Sequence, residues 1–448
     1  MNKGRPSCIW MLYTMVGITT SIYANPAPRE CPVWMTIFIH GAVMPRFCTS
    51  DLLNVMRDHV EDSAYDRAVA AVRNDPFFRH NQAMQGLGLK PVQAHPGGAP
   101  SGACAVASLY DYVTKTVNDT PTTNLYYTFG WSGLLSASTR YAEAQLLYDS
   151  LAREIKKLTN RYGTQPKLRI VAYSHGGNIM LNLGKVRQEQ QSHDLYVDEA
   201  VMLGVPICCE TDKYVADTLF KKVYVFYSTF DRIQTKDFFS FKRFFAKRSF
   251  HSRSNFTVPD YVTQVQIKAY FYKPRSKYKD NQQAAKDLAY NPHGHKKFKK
   301  RNYSPGHTEL WFLGGGASHY RENFPLYPAP LAAVTPAIIK QLETQKTGQK
   351  LVVELHPQRN IMRIRTKPSL KHTETSFIEL KAFGQLQTIA ALCKPGESLK
   401  KEGHRRRNLA RVQSRPAVYH PKQQSGARKR QAQGLCFTED EISIPIIP

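Results

Sequence analysis

The chain has 448 residues, 42% of them hydrophobic, enough to bury a large core as one domain of about 250–350 residues with appendages. No internal segment approaches about 18 continuous apolar residues, and no Cys or Cys/His spacing matches a zinc site, so neither a polytopic membrane protein nor a zinc domain is expected. The formal charge of +27 sits in two stretches, with 16 Lys/Arg against 3 Asp/Glu in residues 242–301 and 18 against 4 in residues 356–434. They suit contact with an anionic surface such as a membrane or another polyanion, and equally a solvated loop and tail. No nucleic-acid-binding fold accompanies them, which argues against nucleic acid.

The N-terminus is basic through Arg5, apolar over residues 9–20 and ends in small residues at Ala24. That layout is expected of a secretory signal peptide cleaved after Ala24, which makes an exported protein; the alternative is a retained N-terminal tether. Export permits disulfides. Seven cysteines would remain (Cys31, Cys48, Cys104, Cys208, Cys209, Cys393 and Cys436), so at least one thiol stays free or pairs between molecules. Cys31 and Cys48 flank one strand and its loop and form the best candidate pair. Cys208 and Cys209 read equally well as small buried hydrophobes.

Residues 33–39 form an apolar, β-rich run that reads as a central strand ending at His40-Gly41. Residues 51–84 read as largely helical, and residues 90–103 as a Pro/Gly/Ala loop. A strand over 125–129 is followed by Gly130-Trp131-Ser132-Gly133, then a long helix over 138–160. Further strands are expected at 168–172, 200–206, 222–227 and 262–270, with helices reaching Gln190 and spanning 330–344. Residues 351–355 and 361–364 suit a last hairpin. Strands alternating with helices predict an α/β fold with a mainly parallel sheet and helices on both faces, spanning residues 25–365. From residue 366 to 448 the composition predicts a basic, largely disordered tail. There is no internal repeat.

In a parallel sheet, functional groups collect at the carboxyl ends of strands, and four such ends carry compatible chemistry. Ser174 follows the strand 168–172 in Ala172-Tyr173-Ser174-His175-Gly176-Gly177, a small-x-Ser-x-Gly turn opening a helix. Such a turn lifts a hydroxyl clear of the sheet; the small residue Ala172 is needed because strand and helix approach closely there, and Gly176-Gly177 follow the serine. A serine needs a base to take its proton and a third group to orient that base. Asp231, in a Ser-x-x-Asp turn after 222–227, is the candidate acid, with Asp212 its rival. His307 is the candidate base, in a loop after the next strand, with His293, His295 and His319 competing. His40-Gly41 closes the first strand, and Gly41 lets the N–H of Ala42 approach the centre; with the N–H of His175 it would make a two-donor oxyanion hole. Trp131 is either pocket lining or core, and the Phe- and Lys/Arg-rich run 238–250 either a membrane-surface helix or a covering insertion.

The set IFIHG, VAYSHGG, VFYSTFD and GHTELW resembles the α/β-hydrolase superfamily, in its lipase/esterase-like serine hydrolases, over roughly residues 30–345. The resemblance implies an α/β-hydrolase fold and a Ser-His-Asp triad of Ser174, His307 and Asp231. It also implies oxyanion amides on Ala42 and His175, supported by His40, Gly41 and Gly176, and hydrolysis of a carboxylic ester, including lipid esters, with no metal or other cofactor. Ala172 stands where glycine is commoner, a change that some secreted bacterial lipases of the superfamily share. A second reading stays open at this level: a hydrolase-fold binding protein that docks on anionic surfaces through its basic loop and tail.

Overall fold

Runs of β-branched and aromatic residues that are apolar on both sides predict strands covered on both faces, and such strands form the centre of a large sheet. The computed structural model describes residues 31–43, 60, 63–94, 101–191, 194–234, 246–274, 298–314, 323–344, 350–366, 372–396 and 401–402. Its strands are β1 (Val33–Ile39), β2 (Gly88–Val92), β3 (Thr123–Gly130), β4 (Lys167–Tyr173), β5 (Glu199–Leu203) and β6 (Val223–Tyr227). They continue as β7 (Val262–Pro274), β8 (Phe298–Asn302), β9 (Lys350–His356), β10 (Ile361–Thr366) and β11 (His372–Ser376). The order across the sheet is β11-β10-β9-β7-β6-β5-β4-β1-β3-β2, with β8 paired to β7. From β3 to β9 every neighbouring pair is parallel, whereas β2, β8, β10 and β11 join antiparallel.

The helices are α1 (Ala64–Arg73), α2 (Pro76–His80), α3 (Gly102–Val117), α4 (Ala137–Tyr162), α5 (Gly176–Gln190), α6 (Leu331–Thr344) and α7 (Leu380–Cys393). Alternate side chains of the strands divide between two cores. Phe38, Val171, Tyr173, Val201 and Leu203 pack with α3, α6 and α7. Met35, Ile37, Ile39, Ile170 and Ala172 pack with α4 and α5 on the opposite face. The result is a three-layer α/β protein with a mostly parallel sheet. Helix α4 shows how the sequence sets a layer. Ser136 caps its start by accepting from the Thr139 N–H (3.0 Å), and Gly163, at φ 74°, ends it in the left-handed conformation. Between those caps Leu147, Leu151, Ile155 and Leu158 recur at three- and four-residue spacing and are buried. Burying each such side chain contributes about 1.5–3 kcal/mol.

The chain runs from β1 to β3 on one side, then crosses through α4 to β4 on the other side of β1. Connections therefore diverge between β1 and β4, the place in an open parallel sheet where sites are expected at the strands' carboxyl ends.

Several expectations are corrected. The loop expected over 90–103 contributes its first residues to β2 and its last to α3. Helix α3 is buried all round at its start, from Gly102 to Tyr110. The fold does not stop at residue 365: β11 pairs with β10, and Phe383, Leu386, Ile389, Ala390 and Cys393 of α7 enter the core. The basic tail is thus shorter than expected at its start, and residues 403–448 lie outside the described residues. Cys31 is exposed, and Cys48, its expected partner, lies outside the described residues, as do Cys436, the signal-peptide segment and most of 238–250. Cys208 is buried, in keeping with a small hydrophobe, and its thiol donates to Pro206 O (3.4 Å). No helix among the described residues is long and apolar enough to cross a membrane.

At the amino edge of the sheet one ion pair locks β4 to β5. Arg169 and Glu199 are register partners; the guanidinium donates to Glu199 Oε1 (2.5 Å) and lies over the Trp34 ring (4.3 Å). Both side chains are nearly buried, so removing one leaves the other charge uncompensated. Glu199→Ala is expected to destabilise the fold by about 3–5 kcal/mol. Urea denaturation of the variant against wild type measures this.

Candidate active site

Ser174 occupies the turn between β4 and α5 at φ 50°, in the left-handed region that a residue with a Cβ enters only at a cost of about 1–3 kcal/mol. Backbone hydrogen bonds over-determine that conformation: the Ser174 N–H donates to Leu203 O (3.0 Å), and the Gly177 N–H donates to Ser174 O (2.9 Å). The end of β1 presses against the turn. A Cβ on Gly176 would lie 2.4 Å from His40 O, and one on Gly41 would lie 2.8 Å from Ser174 Cβ. Only glycine fits at both places, which is why Gly41 and Gly176 flank the serine.

His307 reaches the serine from another part of the chain. Strand β8 returns along β7, the Tyr303 N–H donates to Ala269 O (2.8 Å), and Asn302 Oδ1 accepts from the Ser304 N–H (2.9 Å). The loop then delivers His307 at the start of a short 3-10 turn, Thr308–Leu310. Its Nε2 lies 3.0 Å from Ser174 Oγ and its Nδ1 lies 2.7 Å from Asp231 Oδ2. A carboxylate accepts only, so Nδ1–H donates to Asp231 and Nε2 is left to accept from the serine hydroxyl.

Asp231 sits fully buried in the Ser-x-x-Asp turn after β6. The turn forms because Ser228 Oγ accepts from the Phe230 N–H (3.1 Å) and Ser228 O accepts from the Asp231 N–H (3.2 Å). Oδ1 accepts from the N–H groups of Ile233 (3.1 Å) and Gln234 (3.0 Å), so Oδ2 is the oxygen turned to His307. The Arg248 guanidinium donates to the main-chain oxygen of Asp231 (2.9 Å from Nη2), which ties the turn to the next segment.

The rival aspartate lies elsewhere. Asp212 is engaged by the Arg253 guanidinium at both carboxylate oxygens. His293, His295 and His319 are outside the described residues. Ala42 directly follows Gly41, whose backbone abuts Ser174, and His175 directly follows the serine at the start of α5. Among the described residues no group of three or more His, Cys, Asp or Glu side chains suits a metal ion.

His40 serves the site from behind. Its Nδ1–H donates to Gly41 O (2.8 Å), its Nε2 accepts from the Trp131 N–H (3.3 Å), and the Trp131 indole N–H donates to His40 O (2.8 Å). The rings stack with centroids 5.6 Å apart. Trp131 is thus fully buried core that pins the end of β1. Burial is the main reason His40 is pushed down to about 3, so the imidazole is neutral at working pH, as its two hydrogen bonds demand.

One residue escapes a motif reading. Gly204, at φ +58° after β5, faces the histidine–aspartate pair: a Cβ there would lie 2.9 Å from Asp231 Oδ2, 3.3 Å from His307 Nδ1 and 2.6 Å from Leu310 Cδ1. The Gly-Val-Pro turn was visible in the sequence, but the need for glycine comes from a contact with residues far along the chain.

No family model matches the chain, and no curated protein matches it. Among solved structures it is similar to that of the Tle1 effector bound to the VgrG spike from the Type 6 secretion system, at 11% identity and a TM-score of 0.23. The similarity covers 62% of this chain and 66%, slightly under two thirds, of that one. Likeness of that degree carries no argument about fold or activity.

Two outcomes are expected. Gly204→Ala forces a strained φ and displaces Asp231 or His307, so the low-field NMR signal of the His307 Nδ1 proton should be lost while circular dichroism stays that of the folded protein. His40 is depressed in the fold, so on acidification from about pH 6.5 toward 3 the unfolded chain binds a proton first and stability is lost. His40 contributes up to about 1.4 kcal/mol per pH unit to that slope. Urea titrations of wild type and His40→Gln at pH 7 and pH 4.5 check that the variant loses less on acidification.

Proposed function

We propose that this protein is a serine hydrolase of α/β-hydrolase type that cleaves a carboxylic ester, lipid esters included, through an acyl-enzyme. The observation that carries this reading is the continuous hydrogen-bonded series from Ser174 Oγ through His307 to Asp231, at 3.0 and 2.7 Å. The order of the three along the chain (Ser, Asp, His) and their positions after β4, β6 and β8 support it.

The chemistry follows from the three groups. His307 Nε2 takes the proton from Ser174 Oγ as the oxygen attacks the acyl carbon, and the carbonyl oxygen becomes an oxyanion. Its charge falls to the N–H groups of Ala42 and His175, the second reinforced by the N-terminus of α5. The imidazolium is matched by the buried Asp231 carboxylate. It then gives its proton to the departing alkoxide, and the ester C–O bond breaks to leave an acyl-serine and free alcohol. Water enters, loses a proton to His307 and attacks the acyl carbon. Collapse of the second tetrahedral intermediate returns the proton to Ser174 and releases the acid. Every step balances within these residues, the ester and water.

Export of this enzyme is part of the proposal, resting on the basic, apolar and small-residue layout of residues 1–24. A panel of p-nitrophenyl esters from short to long acyl chains tests the activity. Wild type should hydrolyse at least one ester, Ser174→Ala should fall to the solvent background, and Asp231→Asn should lose on the order of 10⁴ in kcat while still folded. Hydrolysis by Ser174→Ala at the wild-type rate would overturn the assignment.

A further inference from the structure

Tyr173 ends β4 directly before Ser174, and the reaction described above gives it no part. It nevertheless meets His307 twice. Its phenol donates to the main-chain oxygen of His307 (3.1 Å), and its ring centroid lies 4.8 Å from that of the imidazole, at 38° between planes. The ring is itself clamped. It stacks on Trp311 at 5.3 Å and 4°, and Phe312 meets it edge-on at 5.9 Å. Trp311 is fully buried, and its indole N–H donates to Gln82 Oε1 (3.1 Å), which anchors the stack in the turn after α2.

This arrangement answers a geometric problem. Ser174 and His307 are carried by separate elements 133 residues apart, and a base misplaced by 1 Å costs about 100-fold in rate. The hydrogen bond between their reacting atoms cannot hold the two elements together, because it is broken in each catalytic cycle. Tyr173 supplies a tie that stays intact: it is covalently joined to the nucleophile and hydrogen-bonded to the backbone of the base. Burial pushes the phenol well above its usual range, with Asp231 and Glu309 adding to the effect, so the group remains an O–H donor at any working pH.

We infer that Tyr173 is a positioning residue that sets the separation of Ser174 and His307, its hydroxyl holding the histidine backbone and its ring supporting the imidazole. The kinetic part of this inference rests on the hydrolase reading. Its structural part, the hold on His307, does not.

The test uses Tyr173→Phe, which removes the hydroxyl and keeps the ring, and Tyr173→Leu, which removes both. The low-field NMR signal of the His307 Nδ1 proton, bonded to Asp231, reports the imidazole without requiring turnover. It should be present in wild type and in Ser174→Ala, broadened in Tyr173→Phe and lost in Tyr173→Leu. With the ester substrate, kcat should fall about 10-fold in the Phe variant and about 100-fold in the Leu variant, with KM changed less than about twofold. A Phe variant with wild-type signal and wild-type kcat overturns the inference. So does a loss carried by KM, because a residue that only packs the core has no reason to spare substrate binding. If wild type hydrolyses no ester, the hydrolase reading fails, and the proton signal alone decides whether Tyr173 holds His307.

Discussion

The hydrogen bond from His307 to the buried Asp231 carboxylate is the interaction on which the remaining site geometry depends. One oxygen of Asp231 is occupied by the Ile233 and Gln234 amides, so only the other faces the imidazole. That choice sets which ring nitrogen carries the proton, and therefore that Nε2 turns to Ser174 as an acceptor. A carboxylate with no exposure to water keeps its directional preference because no solvent competes for it. Without it, His307 would be a histidine on a loop with two tautomers and no fixed plane.

The sheet supplies everything else that this bond requires. Parallel strands β1, β4, β5 and β6 place their carboxyl ends side by side, and each end contributes one part: Gly41 and Ala42, the strained serine, Gly204, and the aspartate. Close approach is as important as the polar groups. Glycine at 41, 176 and 204 leaves room where a Cβ would meet the serine, the His40 carbonyl or the Asp231 carboxylate. His40, kept neutral by burial, fastens the end of β1 to Trp131 so that this packing does not drift.

Much of this was legible in the sequence because it is local. The double-sided apolar runs of β1 and β4 announce buried parallel strands, and the serine turn, the Ser-x-x-Asp turn and the glycines beside them each have a short-range signature. What was not legible depends on distant partners. Asp212 matched Asp231 as a turn aspartate until the fold paired it with Arg253. Strand β8, Phe-Lys-Lys-Arg-Asn, has no hydrophobic pattern, and only its backbone pairing with β7 makes it a strand. The apolar spacing of Phe383, Leu386, Ile389 and Cys393 was present, but the Lys/Arg runs on either side of α7 masked it in the regional composition. The demand for glycine at 204 exists only once β5, Asp231 and His307 meet.

The central claim is that Ser174 is made nucleophilic by His307. Mass-spectrometric mapping after exposure of the folded protein to a fluorophosphonate tests it most directly. The account predicts one covalent adduct, on Ser174, formed far more slowly in His307→Gln than in wild type. An adduct on another residue, or folded wild type that takes up none, would contradict it.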